Sequence, residues 1–542
     1  MLESLQGGTS TALGRGMRRT HLLVLACSAL MFSACGGGAH SDFEGSYGGS
    51  DGGGASGSDE QGEPNEGDNF EPVGTNPFTM VAYDPLSTFA ADVDTASYDI
   101  FVRDIEAGIL PQPESVRLEE YVNSFRYDYE APAADASHPF RLHLDAAPSI
   151  LGQTTVLRVG LQAKVPPAEE KRPTNLVFLV DISGSMSSAT KLPLVKQVLL
   201  ETLDLLDPND TVSIVTYAGA TGVALAPTPI SERTQIENVI ASFNSGGSTA
   251  GAAGIDLAYQ QAESAFLEGG VNHVLLCTDG DFNVGPSSTA ALVDLIEVKR
   301  ESGVTLTVLG FGVGNLNDAM MELISNKGNG IYGVISSAET ASRYVEERML
   351  SSFNLIAKDL KLQIEFNPDH VTAYRLLGYE NRSIADDDFR EDSIDAGEVG
   401  AGHQVTALYE LILSGQEIPS SELAPEVEDG KPYQGPREVS ASDLAMVKIR
   451  YKEPNASSGD DAMEVSTSLA PESIASSLED AHPDLLWAVS IAAFAEVLKN
   501  SPYAKYEAIP LIGDYVNAGI QSTEDRQRFA EHFIAAKALL AP

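Results

Sequence analysis

Between residues 175 and 350 the chain alternates short apolar runs with segments of helical periodicity, and this alternation limits the folds it can adopt. The run Asn175–Val180 is apolar from Leu176 onward, which is typical of a strand covered on both faces. Further strands are predicted at Thr211–Tyr217, His273–Thr278, Val304–Val313 and Ile331–Ile335. Helices are predicted at Leu192–Leu206, Thr234–Phe243, Gly254–Leu267, Thr289–Ser302, Asp318–Lys327 and Ala338–Leu350. The pattern predicts an α/β fold with a doubly wound parallel sheet.

Oxygen-bearing side chains follow two of these strands and one loop. Asp181, Ser183 and Ser185 come at every second position after the first strand, Thr249 lies in a loop between two helices, and Asp279 follows His273–Thr278. Ligands of open α/β sheets gather outside the carboxyl ends of strands. Carboxylate and hydroxyl oxygens suit a hard divalent cation such as Mg²⁺. In the alternative interpretation the serines cap the following helix and Asp181 is a turn residue, but Thr249 and Asp279 favour a metal site.

The five residues, in this order, resemble the metal-ion-dependent adhesion site of the von Willebrand factor A (VWA) domain, over about Thr174 to Leu350. The resemblance implies a Rossmann-like fold and bound Mg²⁺, or Mn²⁺ or Ca²⁺ in its place. It implies that Ser183 and Ser185 are direct ligands, that Thr249 is direct or water-mediated, and that Asp181 and Asp279 act through water. Neutral hydroxyls leave the cation under-neutralised, so we expect a protein partner to supply a Glu or Asp carboxylate.

Two other functions use the same residues. A metal-dependent hydrolase would use Asp181, Asp279 or Asp281 as base, and an envelope-assembly scaffold would hold the metal structurally. Ser188–Lys191 fits S-x-x-K, but the S-D-N and K-T-G partners of that motif do not occur. Gly310–Gly314 lacks the full dinucleotide fingerprint. We therefore predict a binding protein without catalytic residues.

The N-terminus is typical of an export signal. Arginines at 15, 18 and 19 precede the apolar run Leu22–Phe32, which is too short to span a membrane. The following Ser33-Ala34-Cys35 resembles a lipoprotein signal-peptidase site, although an ordinary secretory signal is the alternative. We predict a signal peptide over residues 1–35 and a lipid on Cys35 that anchors the protein in the cell envelope. The residue after the cysteine is Gly36 and not the aspartate that signals retention in the cytoplasmic membrane. The outer membrane or cell surface is therefore favoured over the cytoplasmic membrane.

Residues 36–77 are rich in Gly, Ser and acidic residues, which predicts a disordered tether. The formal net charge of the whole chain is −44, so nucleic acid is not an expected partner. The chain has three cysteines, of which Cys277 is predicted to be a core residue.

The segments on either side of the α/β region differ from it. Leu360, Leu362, Ile364 and Phe366 alternate with polar residues, which predicts a half-buried strand. Similar patterns occur before residue 170, so an antiparallel β-sandwich is predicted with the VWA domain (171–352) inserted between its strands. We assign 78–170 to an N-terminal VWA-associated region, 353–470 to a β-rich domain and 471–542 to C-terminal helices. The arrangement resembles a group of bacterial VWA-containing surface lipoproteins with a C-terminal domain of unknown function.

Two features of these flanks have alternative interpretations. Asp92 and Asp94 could bind a metal, but we favour helix capping by Asp94 or Thr95. In the C-terminal helices, Pro483 marks a first turn, and Trp487 is predicted to lie in the core.

Overall fold

The computed structural model describes residues 67–540 except 134, 151, 167–170, 250, 281–288, 419–429, 455, 457–459 and 521–522. The predicted signal peptide, Cys35 and most of the predicted tether lie outside these residues. None of the helices in the described part combines the length and the apolar character that a membrane span requires.

The elements before the α/β region are β1 (Thr79–Met80), β2 (Leu86–Ala90), α1 (Ala96–Glu106), α2 (Leu118–Asn123), β3 (Phe140–Pro148) and β4 (Thr155–Ala163). The α/β region contains β5 (Thr174–Asp181), α3 (Leu192–Thr202), β6 (Thr211–Tyr217), β7 (Thr221–Pro229), α4 (Arg233–Ser242), α5 (Gly251–Ser264), β8 (Val271–Thr278), α6 (Thr289–Arg300), β9 (Thr305–Phe311), α7 (Asp318–Lys327), β10 (Tyr332–Ile335), α8 (Ala338–Tyr344) and α9 (Leu350–Phe353). The elements after it are β11 (Leu355–Phe366), β12 (Val371–Leu377), β13 (Gly397–Gly400), β14 (Gln404–Leu413), β15 (Ala445–Lys452), β16 (Met463–Leu469), α10 (Pro483–Leu498), α11 (Ile509–Gly519) and α12 (Glu524–Leu540).

The central sheet has the strand order β10-β9-β8-β5-β6-β7, and its strands are parallel except for the edge strand β7. Every residue of β5 and β8 is buried, as expected for strands covered by helices on both faces. Helix α5 packs closely on the sheet at Gly254, where a Cβ would lie 2.9 Å from the Tyr217 ring and 3.2 Å from Leu179. The predicted doubly wound α/β fold is confirmed, with an antiparallel edge strand that was not predicted.

Two antiparallel sheets form the predicted sandwich. One has the order β1-β12-β14-β4-β3, and the other has the order β13-β11-β15-β16, with β2 paired to β11. Their inner faces share one core that includes Phe89, Leu161, Leu362 and Tyr409. Each sheet combines strands from before and after the α/β region, which confirms that this region is inserted in the sandwich.

The helices α10 to α12 pack against α1 and α2 through an aromatic cluster. Trp487 is 1% exposed, and its ring centroid lies 5.3 Å from that of Phe125 and 5.6 Å from that of Phe529. Pro483 is at the start of α10, where its missing N–H costs no helical hydrogen bond. The core position predicted for Trp487 is confirmed.

The end of the predicted tether is ordered in the structure. Asp68 accepts a hydrogen bond from the Leu316 N–H at 2.8 Å, and the Asn69 N–H donates to the Leu316 carbonyl at 2.8 Å. Asp68 also pairs with the buried Arg103 guanidinium at 2.8 Å. A disordered tether that continues to residue 77 is therefore wrong for this stretch, because acidic side chains find partners in the folded part.

Two local predictions are also wrong. Asp94 does not cap α1: its carboxylate accepts the Tyr332 N–H at 2.8 Å and pairs with Arg382 at 3.2 Å, and Thr95 makes no capping hydrogen bond. The half-buried strand predicted from Leu360 to Phe366 is instead buried on both faces in β11. A loop covers its polar face, and Lys361 on that face donates a hydrogen bond to the Asp388 carbonyl of the loop at 3.2 Å. In both cases a contact with a residue distant in sequence, rather than the local pattern, determines the environment of the side chain.

Candidate functional site

The two predicted aspartates lie side by side at the carboxyl edge of the central sheet. Asp181 ends β5 and Asp279 follows the last residue of β8. The two strands are parallel neighbours, with Val180 opposite Cys277. Both carboxylates are 0% exposed, so neither is an ordinary solvated loop charge.

The loop after β5 holds its polar side chains by short-range hydrogen bonds. The Ser183 N–H donates to Asp181 Oδ1 at 2.8 Å, and the hydroxyls of Ser183 and Ser185 are 2.9 Å apart. From the neighbouring strand, Thr278 Oγ1 donates to Asp181 Oδ2 at 3.3 Å. Three of the predicted oxygen donors therefore share one small loop, and both carboxylate oxygens of Asp181 are oriented.

The segment that contains Thr249 crosses this loop. The Gly246 N–H donates to the Ile182 carbonyl at 2.8 Å, and the Gly184 N–H donates to the Gly247 carbonyl at 3.0 Å. Gly247 has φ +89° and lies so close to the chain at Gly219 that a Cβ would be 3.1 Å from its nitrogen. Thr249 follows two residues later and is 4% exposed. The structure thus brings the segments of all five predicted residues to one edge of the sheet.

Burial disfavours the negative charge of the carboxylates at this edge. Burial raises the pKa of Asp181 to about 6, the hydrogen bonds from Ser183 oppose this, and the charge of Asp279 adds to it. Two neighbouring buried carboxylates are unfavourable unless cations or hydrogen bonds compensate them. A site of this kind, with only oxygen donors, fits a hard divalent cation.

Lys191, which lies just before α3, also contacts this edge, although the sequence pattern does not indicate it. Its Nζ donates to Asp279 Oδ2 at 3.0 Å and to Asn315 Oδ1 at 2.7 Å. The lysine side chain is 8% exposed. The only sequence signal was the S-x-x-K pattern, and it pointed to a different chemistry.

Two of the three candidate bases of the hydrolase alternative, Asp181 and Asp279, lie at this edge, but the histidine of β8 does not. His273 is buried near the opposite end of β8, where its Nδ1 lies 2.6 Å from Thr305 Oγ1 and burial lowers its pKa to about 3. Asp281 lies outside the described residues. The described residues therefore place no histidine from β8 beside Asp181 and Asp279.

A second acidic group lies in the sandwich. Oxygens of Asp359, Asp395 and Glu398 lie within 4.8 Å of one another. Asp395 is paired with Arg300 at 2.6 Å, and Asp359 lies 3.3 Å from Lys452. Because protein cations already pair with two of its three carboxylates, we do not regard this group as a candidate site.

Comparison with known proteins covers almost all of the described chain. The profile of the von Willebrand factor type A domain matches residues 175–347, and that of a family described as "von Willebrand factor" matches residues 64–158. A third profile, "Uncharacterized protein YfbK, C-terminal", matches residues 351–538. Protein YfbK of Escherichia coli K12 is 38% identical over 469 residues, which is 85% of this chain and 78% of YfbK. The chain belongs to the YfbK family.

More distant matches include two proteins and one solved structure. Protein sll0103 of Synechocystis is 26% identical over 212 residues, 39% of this chain and 49% of that protein. Human inter-alpha-trypsin inhibitor heavy chain H4 is 27% identical over 168 residues, 29% of this chain and 18% of that protein. A von Willebrand factor type A structure from Catenulispora acidiphila has a TM-score of 0.41 and 14% identity, covering 72% of this chain and 90% of its own.

This YfbK-family protein therefore contains a VWA domain between a segment that matches the family described as "von Willebrand factor" and a YfbK C-terminal domain. The family resemblance predicted from the five edge residues is confirmed at the level of the domain. VWA domains generally mediate protein–protein interactions and often depend on a divalent metal, and they are typically interaction modules rather than enzymes.

Proposed function

We propose that the VWA domain binds a protein partner through a divalent cation, Mg²⁺ by preference, held by Asp181, Ser183, Ser185, Thr249 and Asp279. The partner supplies a Glu or Asp carboxylate to the cation. The observation that carries the proposal is the convergence of the five residues' segments at one buried edge of the sheet, with Ser183 and Ser185 hydroxyls 2.9 Å apart. The family membership supports the same interaction role.

Each side chain has a defined part in this proposal. The bound cation would supply positive charge that attracts an anionic group of the partner. Ser183 and Ser185 offer neutral oxygens from a loop already oriented by Asp181. Asp181 and Asp279 are buried and provide the negative charge that makes this edge attractive to a cation, acting through water as the family resemblance implies. Thr249, on the crossing segment, completes the oxygen set.

Affinity capture tests this function. Immobilised protein is incubated with envelope extract in Mg²⁺ or in EDTA, and the captured proteins are identified. We expect Mg²⁺-dependent capture by the wild type and loss of capture by Ser183→Ala. Ser187→Ala is the matched control, because Ser187 is an exposed neighbour in the same loop. Partners that bind equally in EDTA, or that the Ser183→Ala variant retains, would contradict the proposal.

A structural metal would give a different result in the same experiment. If the cation only holds the scaffold together, EDTA should abolish both capture and folding, as seen in the circular dichroism spectrum. The adhesion proposal instead expects the folded spectrum to persist in EDTA while capture is lost.

We further propose that the protein is a cell-envelope lipoprotein anchored through Cys35, on the outer membrane or cell surface. The support is the sequence pattern of arginines, apolar run and Ser33-Ala34-Cys35. Intact mass of the purified protein, together with membrane fractionation, provides the test. We expect a diacylglycerol-modified N-terminal cysteine in the wild type and an unmodified protein for Cys35→Ser. An unlipidated wild-type protein in the soluble fraction would refute the anchor and leave the metal site unaffected.

A further inference from the structure

Lys191 contacts the candidate site without belonging to its expected ligand set. Its ammonium group donates to Asp279 Oδ2 at 3.0 Å, and this carboxylate is 0% exposed. The lysine side chain itself is 8% exposed. Removing the cation that pairs with a buried carboxylate strongly destabilises the folded state, so the Lys191–Asp279 ion pair contributes to the stability of this edge.

The fold makes room for this lysine. Gly312, directly after β9, has φ +91°, and a Cβ there would lie 2.4 Å from Cε and 2.6 Å from Cγ of Lys191. Any larger residue would displace the lysine stem. Three residues later, Asn315 offers its side-chain oxygen to the same ammonium at 2.7 Å. Close contact with Lys191 thus gives a structural reason for the glycine at position 312.

The loop that carries Asn315 is itself anchored. The next residue, Leu316, donates its N–H to Asp68 at 2.8 Å. The serine of the S-x-x-K pattern is engaged elsewhere, since Ser188 Oγ lies 3.0 Å from Thr190 Oγ1 on the exposed surface. Lys191 is therefore directed to Asp279 and away from Ser188.

We propose that Lys191 is a built-in counter-ion of Asp279 that sets the affinity of the edge site for its divalent cation. The inference rests on the proposed function. The ammonium neutralises one of the two buried carboxylates and repels a bound cation. The same site without the lysine charge would therefore hold the metal more tightly. The cation then retains more positive charge for an anionic group of a partner. When the cation leaves, Lys191 still compensates Asp279, so the empty site stays folded.

The test compares Mg²⁺ binding by the full chain and its Lys191→Met variant, in which a stem of similar volume carries no charge. Isothermal titration with MgCl₂ should show about tenfold tighter binding by the variant, because the repulsion is gone. Without Mg²⁺ the variant should melt at a lower temperature than the wild type, and Mg²⁺ should raise its melting temperature by more. Lys191→Arg, which keeps the charge, should bind Mg²⁺ like the wild type.

Lys196→Met, on the helix α3 that follows Lys191, is the matched control, since Lys196 donates to the backbone carbonyls of Ala241 and Phe243 instead of to Asp279. It changes the net charge equally and should leave Mg²⁺ affinity unchanged. If Lys191→Met does not fold, Lys191→Gln replaces it with the same expectation. Wild-type binding with equal or weaker binding by these Lys191 variants would overturn this inference alone. A wild type that takes up no Mg²⁺ would overturn the proposed function and the inference with it.

Discussion

Replacing Arg117 with Met tests whether buried ion pairs join the N-terminal region to the VWA domain. Arg117 precedes α2 and is 2% exposed, and its guanidinium holds Asp318 of α7 through hydrogen bonds of 2.6 and 3.1 Å. It also contacts Glu120, which is 0% exposed. The variant leaves both carboxylates buried without this cation. Loss of one partner of a buried pair costs about 3–5 kcal/mol, and we expect the free energy of unfolding to fall by this amount.

The assay is urea unfolding followed by Trp487 fluorescence and by far-ultraviolet circular dichroism. Trp487 lies in the cluster with Phe125 and Phe529, so its emission reports on the contact of α2 with the C-terminal helices. Arg233→Met is the control, because Arg233 and its partner Asp204 form a solvent-exposed ion pair, with side chains that are 37% and 66% exposed. Its loss should lower the free energy of unfolding by less than about 1 kcal/mol.

A second substitution checks the physical cause. Asp318→Asn in the Arg117→Met background removes the uncompensated charge and should restore part of the lost stability. If Arg117→Met unfolds within 1 kcal/mol of the wild type, or if Asp318→Asn lowers stability further, the assigned role of this ion pair is wrong.

Two further predictions concern packing and pH. Gly254→Val should lower the free energy of unfolding by about 1–3 kcal/mol, because a Cβ at this position would lie 2.9 Å from the Tyr217 ring. Thermal unfolding measures the loss, and an unchanged melting temperature would contradict the close packing of α5. Burial and the charge of Glu380 raise the pKa of Glu119 from 4.5 to about 7, so the folded state binds this proton more tightly than the unfolded chain. Its contribution to stability is complete below pH 4.5 and is lost as the pH rises toward 7, so Glu119→Gln should flatten that decline in urea midpoints. Parallel pH profiles for variant and wild type would refute the assignment.

The parts of the fold that could be predicted depend on local pattern. The apolar run that forms β5 predicts a strand covered on both faces, and the carboxyl-edge rule then places Asp181 and Asp279 together. The insertion of the VWA domain follows from alternating patterns on both sides of it. In contrast, β7 carries several exposed positions as an edge strand, and its pattern gives no clear period.

The missed features depend on contacts between distant residues. Lys191 reaches Asp279 across 88 positions of sequence, and Asp94 reaches Tyr332 across 238. Neither distance leaves a periodic or spacing signal, because the pairing exists only once strands and loops are assembled. The polar face of β11 was misjudged for the same reason: the loop that covers Lys361 is not adjacent to it in sequence.

Calorimetric titration of the purified chain with MgCl₂ shows whether the edge of the central sheet binds a divalent cation. We expect saturable binding of one Mg²⁺ by the wild type and by the exposed-neighbour control Ser187→Ala. We expect no binding by Ser183→Ala, which removes one oxygen from the loop beside Asp181. Folded wild-type protein that takes up neither Mg²⁺ nor Mn²⁺, or a Ser183→Ala variant that binds as the wild type does, would contradict the proposed metal site.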